Sequence, residues 1–315
     1  MDFADELRRL GHEVRTFAYR RENPLYKNKS TKMAYQRMIG AKLERACAAW
    51  RPGLVLVIKG GPIFPAVIRR VRARTDALFL NVFPDNPLLM LPIESVEAYD
   101  LFFVKDHYTQ HSLEMAGLRN LYYLPFYCVP ELHHPVSLSQ AERARYGAPI
   151  SFVGSRYPYR ERFVKEIAGY PIRLWGGGWA KVRDPEIQRM VAGPLVLGRE
   201  KLLVYCGSIL SLNHHHPLND VFGVNTRTFE LAAAAACQVV DLKDDLSALF
   251  KPGTEIVAYR DLAELRRSLD YYLAHPDEAA AIGANARQRA LADHTLRQRI
   301  DEILVTVEAR FGRRR

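Results

Sequence analysis

Arg227 and Glu230 stand three residues apart, a spacing that puts a guanidinium and a carboxylate on one face of a helix. Around them the chain reads Gly223-Val224-Asn225-Thr226-Arg227-Thr228-Phe229-Glu230-Leu231, then alanines from Ala232 to Ala236, then Cys237-Gln238-Val239-Val240-Asp241. Such a helix, almost wholly small and apolar, is expected to pack tightly against a sheet, and an ionised group on it is costly unless something binds it. Asn225 is a good N-cap, and the unpaired N–H groups of the first turn attract phosphate. A helix start for phosphate, with an acid about one turn further in for a ribose diol, is the chemistry of a nucleotide-sugar site. The structural alternative is an ordinary exposed Arg227–Glu230 ion pair, worth roughly a few tenths of a kcal/mol.

The preceding element supports the binding reading. Ser208-Ile209-Leu210-Ser211-Leu212 reads as a strand, and Asn213-His214-His215-His216-Pro217-Leu218-Asn219-Asp220 is a polar loop leading into the helix. Strand, loop and phosphate-facing helix follow in the order an open α/β sheet uses for ligands. Three consecutive histidines point in divergent directions, so no metal site is expected from them. Asp85, after another apolar strand, is the best candidate for an acceptor-side base or orienting acid, although Asp85-Asn86-Pro87 is also an ordinary turn signal. Lys59-Gly60-Gly61 at a third strand end is a weaker pattern for a residue lining a cleft.

The positioning framework follows from length and pattern. A chain of 315 residues, 48% hydrophobic and 25% charged, can hold two medium domains. No apolar run approaches the ~20 residues of a membrane span, and the acidic start Met1-Asp2-Phe3-Ala4-Asp5-Glu6 is not a secretory signal. Cys47, Cys128, Cys206 and Cys237 are widely spaced and read as thiols of a reducing compartment, with the cytoplasm as the expected location. The net charge of +10 favours anionic partners. Without an aromatic-interleaved basic stripe nucleic acid is not expected, and weak peripheral contact with anionic membrane stays open.

A short helix over 5–11 and a strand at Glu13–Tyr19 are expected, then a helix from about Lys32 to Trp50. Strands at 54–58, 77–83, 101–104 and 121–124 alternate with helices near 65–74 and 108–116. A second series puts strands at 150–154, 172–175, 208–212, 238–241 and 255–259, and the end is helical from about Leu262 to Arg310 with a break at Pro276. This alternation predicts parallel sheets covered on both sides. The proline-bearing stretch from Pro125 to Gly147 reads as the crossing, giving an amino-terminal domain over 1–130 and a carboxyl-terminal one over 131–315, the last helix returning to the first. Met1 sits where the first helix begins. The strand and glycine-rich turn that open a Rossmann-like half are thus missing, and a truncated start is favoured over loss of a central strand.

Taken together, Gly154-Ser155-Arg156, Leu174-Trp175-Gly176-Gly177-Gly178-Trp179, Ser211-Leu212-Asn213 and Gly223-x-Asn225-x-Arg227-x-Phe229-Glu230 resemble the CgeB-like (spore-maturation protein) branch of the glycosyltransferases. The likeness covers most of 120–310, is strongest over 205–245, and is looser at Phe83-Pro84-Asp85-Asn86-Pro87. It implies the GT-B architecture: two Rossmann-like domains facing a cleft, with the donor on the carboxyl-terminal one and no bound metal or other cofactor. Carried over by position, Glu230 would bind the donor ribose, Arg227 and Asn225 the diphosphate, and Gly154 with Ser155, Arg156 and Asn213 the surrounding donor. Gly177 would lie near the base, with Trp175 or Trp179 stacking there. Relatives with paired glutamates place the first acid eight residues before the second, but position 222 here is Phe222, and Asp220 lies two residues off.

The reading is therefore metal-independent transfer of a sugar from a nucleotide-diphosphate donor to an unidentified glycan, lipid or protein acceptor, with Asp85 and Arg227 as the catalytic pair. A non-catalytic nucleotide-sugar or glycan-binding relative in a surface or coat assembly is the alternative.

Overall fold

The computed structural model of the chain describes residues 3–19, 29–61 and 63–312. They divide into two compact units. The first comprises the chain up to Pro125, the short stretch Leu218–Gly223, and everything from Arg299 on; the second comprises Phe126–Pro217 and Val224–Gln298. The chain first changes unit after Pro125. Cys128 belongs with the second unit because its N–H donates to His294 O at 2.7 Å and its carbonyl accepts from Leu296 N at 2.9 Å.

In the first unit, helices α1 (Phe3–Arg9) and α2 (Lys29–Trp50) precede strands β1 (Leu54–Ile58), β2 (Leu78–Phe83), β3 (Leu101–Val104) and β4 (Leu121–Tyr123). Helix α3 (Pro65–Arg72) follows β1, α4 (Ile93–Glu97) follows β2, and α5 (His107–Met115) follows β3. All four strands pair in parallel in chain order. The described sheet is thus a single wing with no reversal of order. Every residue of Leu101-Phe102-Phe103-Val104 is buried, as a strand covered on both faces requires. Residues 13–19 form no strand. Their alternation instead lets Phe17 pack on the core of this unit and Tyr19 donate its hydroxyl to Ile58 O.

The second unit holds helix α6 (Gln140–Tyr146), β5 (Ala148–Val153), α7 (Pro158–Glu166), β6 (Ile172–Trp175), α8 (Pro185–Met190), β7 (Val191–Gly193), α9 (Gly198–Cys206) and β8 (Ser208–Asn213). Helix α10 (Thr226–Ala233), β9 (Gln238–Asp241), α11 (Leu246–Leu249), β10 (Val257–Tyr259), α12 (Leu262–Ala274) and α13 (Pro276–Asp293) complete it, and α14 (Leu296–Phe311) carries the chain back. The six strands are all parallel, in the order β10-β9-β8-β5-β6-β7. Adjacent strand residues divide between cores. Phe152 packs with Phe163 and Leu265, whereas Val153 packs with Leu202, Tyr205 and Leu231. The alanine-rich helix ends at Ala233, short of Ala236, because Ala235 takes a positive φ of 57° before the chain enters β9.

Among the described residues no helix is long and apolar enough to cross a membrane.

Candidate functional site

The strand order of the second unit creates the site. From β5 the chain builds outward through β6 and β7, then returns to the other side for β8, β9 and β10. The reversal lies between β5 and β8, and open α/β sheets take ligands outside the C-terminal ends of the strands at such a switch point. Those ends are Val153 and Asn213.

Asn225 caps α10, its Oδ1 accepting from Thr228 N at 3.2 Å. Its Nδ2 donates to Asn213 Oδ1 at 2.9 Å, and Arg227 Nη1 donates to the same oxygen at 3.1 Å. Asn213 Nδ2 in turn faces Asn225 Oδ1 at 3.2 Å, Thr228 Oγ1 at 3.0 Å and Gln238 Oε1 at 3.3 Å. Asn213 is fully buried, so one strand-end amide fixes both the helix cap and the guanidinium. Opposite stands Gly154. A Cβ there would come within 3.0 Å of Arg227 Nη2 and 3.2 Å of Arg160 Nη1. Two guanidinium groups therefore converge over a residue whose lack of a side chain leaves them room. Arg227 has a neutral amide partner and no ion pair with a carboxylate among the described residues, which leaves its charge for an anion.

Arg160 is the principal residue that the sequence reading misses. It lies in the first turn of α7, its Nη1 donating to Ser155 O at 3.0 Å and its Nη2 to His214 O at 3.3 Å. The signal was present: a proline-started helix directly after Gly154-Ser155-Arg156 carries a cation on its third residue. Arg156 itself turns away, with Nε 2.6 Å from Glu161 Oε2 in a half-exposed pair. Its backbone N–H donates to Gly177 O at 2.9 Å and so joins the two glycine-bearing loops. Ser155 and Gly177 are exposed beside it.

The tryptophans require a correction. Trp175 is 2% exposed and Trp179 0%, so neither ring is open to stack on a base. Trp179 Nε1 donates to Gly154 O at 2.7 Å and supports the loop from behind. Trp175 lies under the Arg173 guanidinium, 5.0 Å from its ring centroid.

Glu230 and Arg227 do not pair with each other. Lys201 Nζ lies 2.9 Å from Glu230 Oε1, His133 Nε2 lies 3.7 Å from the same oxygen, and the Tyr205 hydroxyl donates to Oε2 at 3.5 Å. Burial pushes the Tyr205 phenol well above its usual range, with Glu230 adding to the rise, so it stays a donor. Burial likewise lowers His133, against the pull of Glu230. The carboxylate is 16% exposed and held from three sides. Lys201 and His133 come from distant segments and had no local signature in the sequence.

Beside the switch point the three histidines part company. His214 stacks on Phe163 at 4.0 Å with its Nδ1 3.1 Å from Tyr259 Oη. His215 Nδ1 lies 2.8 Å from Asp241 Oδ1, and His216 meets the Tyr159 ring edge-on at 5.1 Å. Burial lowers His214 to about 4. Burial alone would raise Asp241, but His215, His214 and Lys243 around it hold the carboxyl well below the usual range.

The remaining sequence candidates lie in the first unit. Asp85 is held by the Lys59 ammonium, the two side chains being 29% and 19% exposed. Asp220 pairs with Lys105, 4% and 3% exposed, and Lys105 Nζ also donates to Asn219 O at 2.8 Å. Asp220 is therefore committed to a buried partner and does not stand in for the acid absent at 222. Phe222 packs edge-on against Tyr108 at 5.4 Å, and the N–H groups of Phe222 and Gly223 donate to Asp106 Oδ2 at 3.0 and 2.8 Å.

The same fold recurs among solved structures. Sucrose-phosphate synthase from Thermosynechococcus elongatus is similar at a TM-score of 0.69 and 16% identity, covering 89% of this chain and 80% of its own. HepE from Anabaena, solved in complex with UDP, is similar at 0.67 and 12%, covering 86% and 82%. A glycosyltransferase from Rickettsia africae is similar at 0.63 and 12%, covering 92% and 83%. These likenesses show the GT-B fold. No curated protein matches the sequence at a significant level. The profile described as glycosyl transferase-like matches residues 138–305, more than half of the chain and most of the second unit. With that match and this fold, the chain belongs to the glycosyl transferase-like family.

Proposed function

We propose that the chain transfers a sugar from a nucleotide-diphosphate donor to an acceptor without a bound metal, and that it falls in the CgeB-like branch of its family. The observation that carries this is the convergence of Arg227 and Arg160 over Gly154 at the switch point, beside the Asn225-capped start of α10. As the glycosidic bond breaks, the diphosphate gains charge, and fixed guanidinium donors stabilise it where it develops. Glu230, one turn into the helix and oriented by Lys201, accepts from the ribose hydroxyls. Asp85 is the acceptor-side carboxylate. The free thiols Cys47, Cys128, Cys206 and Cys237 support a cytoplasmic location.

Calorimetry with uridine, guanosine, thymidine and adenosine diphosphates tests the donor site, with uridine diphosphate first because HepE, of similar fold, was crystallised with it. Binding of at least one, its loss in Glu230→Ala, and release of nucleotide diphosphate from the matching sugar donor with EDTA present are the expected results. Strict dependence on added divalent metal contradicts the scheme. One observation favours a second reading: Asp220, the acid two residues from position 222, is sequestered by Lys105. A non-catalytic nucleotide-sugar binder in a surface or coat assembly shows the same affinity with no turnover.

A further inference from the structure

The first sheet carries a second polar site at its C-terminal edge, wholly within the first unit. Lys59, directly after β1, has a φ of 71°, shared in sign by Arg51 and Ala235 alone among described non-glycine residues. Gly60 N–H donates to Ile58 O at 3.0 Å, closing a three-residue turn of the rarer, strained hand around Lys59. The surroundings over-determine this turn. Lys59 N–H donates to Val82 O at 2.9 Å, and Gly60 N–H also reaches the Tyr19 hydroxyl at 2.8 Å. A Cβ on Gly60 would lie 2.7 Å from Tyr99 Oη and 2.9 Å from Asn81 Nδ2, so no larger residue fits there. Strain retained in this way clusters at sites that use it.

What the turn delivers is the Lys59 ammonium onto the Asp85 carboxylate, which follows the neighbouring strand β2. Further along the same edge the groups are spent on the chain itself. Asn86 N–H donates to Asn219 Oδ1 at 2.9 Å, Lys105 holds Asp220, and Asp106 holds the amides of Phe222 and Gly223. Lys59 and Asp85 remain partly solvent-accessible, at 19% and 29%.

We infer that Lys59 and Asp85 form a hydroxyl-binding dyad for a neutral, polyhydroxylated ligand of saccharide type. A hydroxyl can accept from the ammonium and donate to the carboxylate at once. A phosphate or carboxylate group would face Asp85, and an amine would face Lys59. Either would displace one member of the pair and leave its charge uncompensated in a partly desolvated place. Calling this ligand the acceptor rests on the transfer reading above; its binding does not.

Saturation-transfer NMR on the full chain, without nucleotide, compares methyl glucoside and maltose with glucose 6-phosphate and glucosamine. The neutral saccharides are expected to bind more tightly than their charged counterparts, and Lys59→Met and Asp85→Asn to weaken them about tenfold or more. Should Lys59→Met disturb the strained turn, the isosteric Asp85→Asn carries the test alone. Affinity for uridine diphosphate, measured in parallel, stays unchanged in both variants. Equal saccharide binding in wild type and variants, preference for the phosphorylated sugar, or no neutral saccharide bound at all overturns the dyad. Failure of the wild type to bind any nucleotide diphosphate overturns the transfer reading instead and leaves a positive saccharide result standing.

Discussion

At the C-terminal edge of the second sheet, Arg227 rests on a neutral amide, Asn213, whereas at the same edge of the first sheet each lysine meets a carboxylate, Lys59 with Asp85 and Lys105 with Asp220. A guanidinium held only by dipoles keeps its charge for a ligand. A lysine already matched is either part of the scaffold, as with the buried Lys105, or suited to uncharged groups, as with the half-buried Lys59. Two parallel sheets of similar construction thus present different chemistry at equivalent positions, and the partner of each cation decides which.

That contrast can be broken most sharply at Lys105. Removing it as Lys105→Met strands a buried carboxylate, and urea unfolding is expected to report a loss of about 3–5 kcal/mol; an unchanged midpoint would mean the pair is not internal compensation. Arg227→Ala should do the reverse. Turnover falls by about 10²–10³ while stability shifts by about 1 kcal/mol, the worth of its hydrogen bond to Asn213. A loss of stability as large as that of Lys105→Met would make Arg227 a structural residue.

Acidification offers a third measure. Burial lowers His214 from 6.5 to about 4, so between those values the unfolded chain binds more protons than the folded one, and stability falls as pH falls. Its contribution is complete above pH 6.5 and declines toward pH 4, by an amount on the order of 3 kcal/mol. Thermal melts of His214→Gln should show a shallower slope over that window, with some slope retained because His133 is also lowered. The smallest effect belongs to Glu230→Gln, which keeps the shape but loses the charge-assisted acceptor; nucleotide affinity should drop about tenfold with little change in melting.

Much of the fold was legible because the strands are short, largely apolar stretches alternating with helices. Leu54–Ile58, Leu101–Val104, Ile172–Trp175 and Gln238–Asp241 begin and end where the pattern says. The three-residue β7 escaped because it has no pattern long enough to read, and 13–19 misled because a half-packed loop can alternate like a strand. At the site, Asn213, Asn225 and Arg227 were legible as neighbours through cap and helix spacing. Arg160 was overshadowed by Arg156, the more obvious cation in the loop. Lys201 and His133 reach Glu230 only through tertiary packing, which no local spacing encodes. The tryptophans failed for a related reason: a large ring beside a glycine loop reads equally as platform or as core, and here both are core.

The stretch Leu218–Gly223 has a consequence for any attempt to take the molecule apart. The backbone changes unit after Pro125, Pro217, Gly223 and Gln298. Severing it anywhere between Phe126 and Gln298 therefore leaves each fragment owning parts of both lobes, and no single nick or truncation in that span releases a self-contained half.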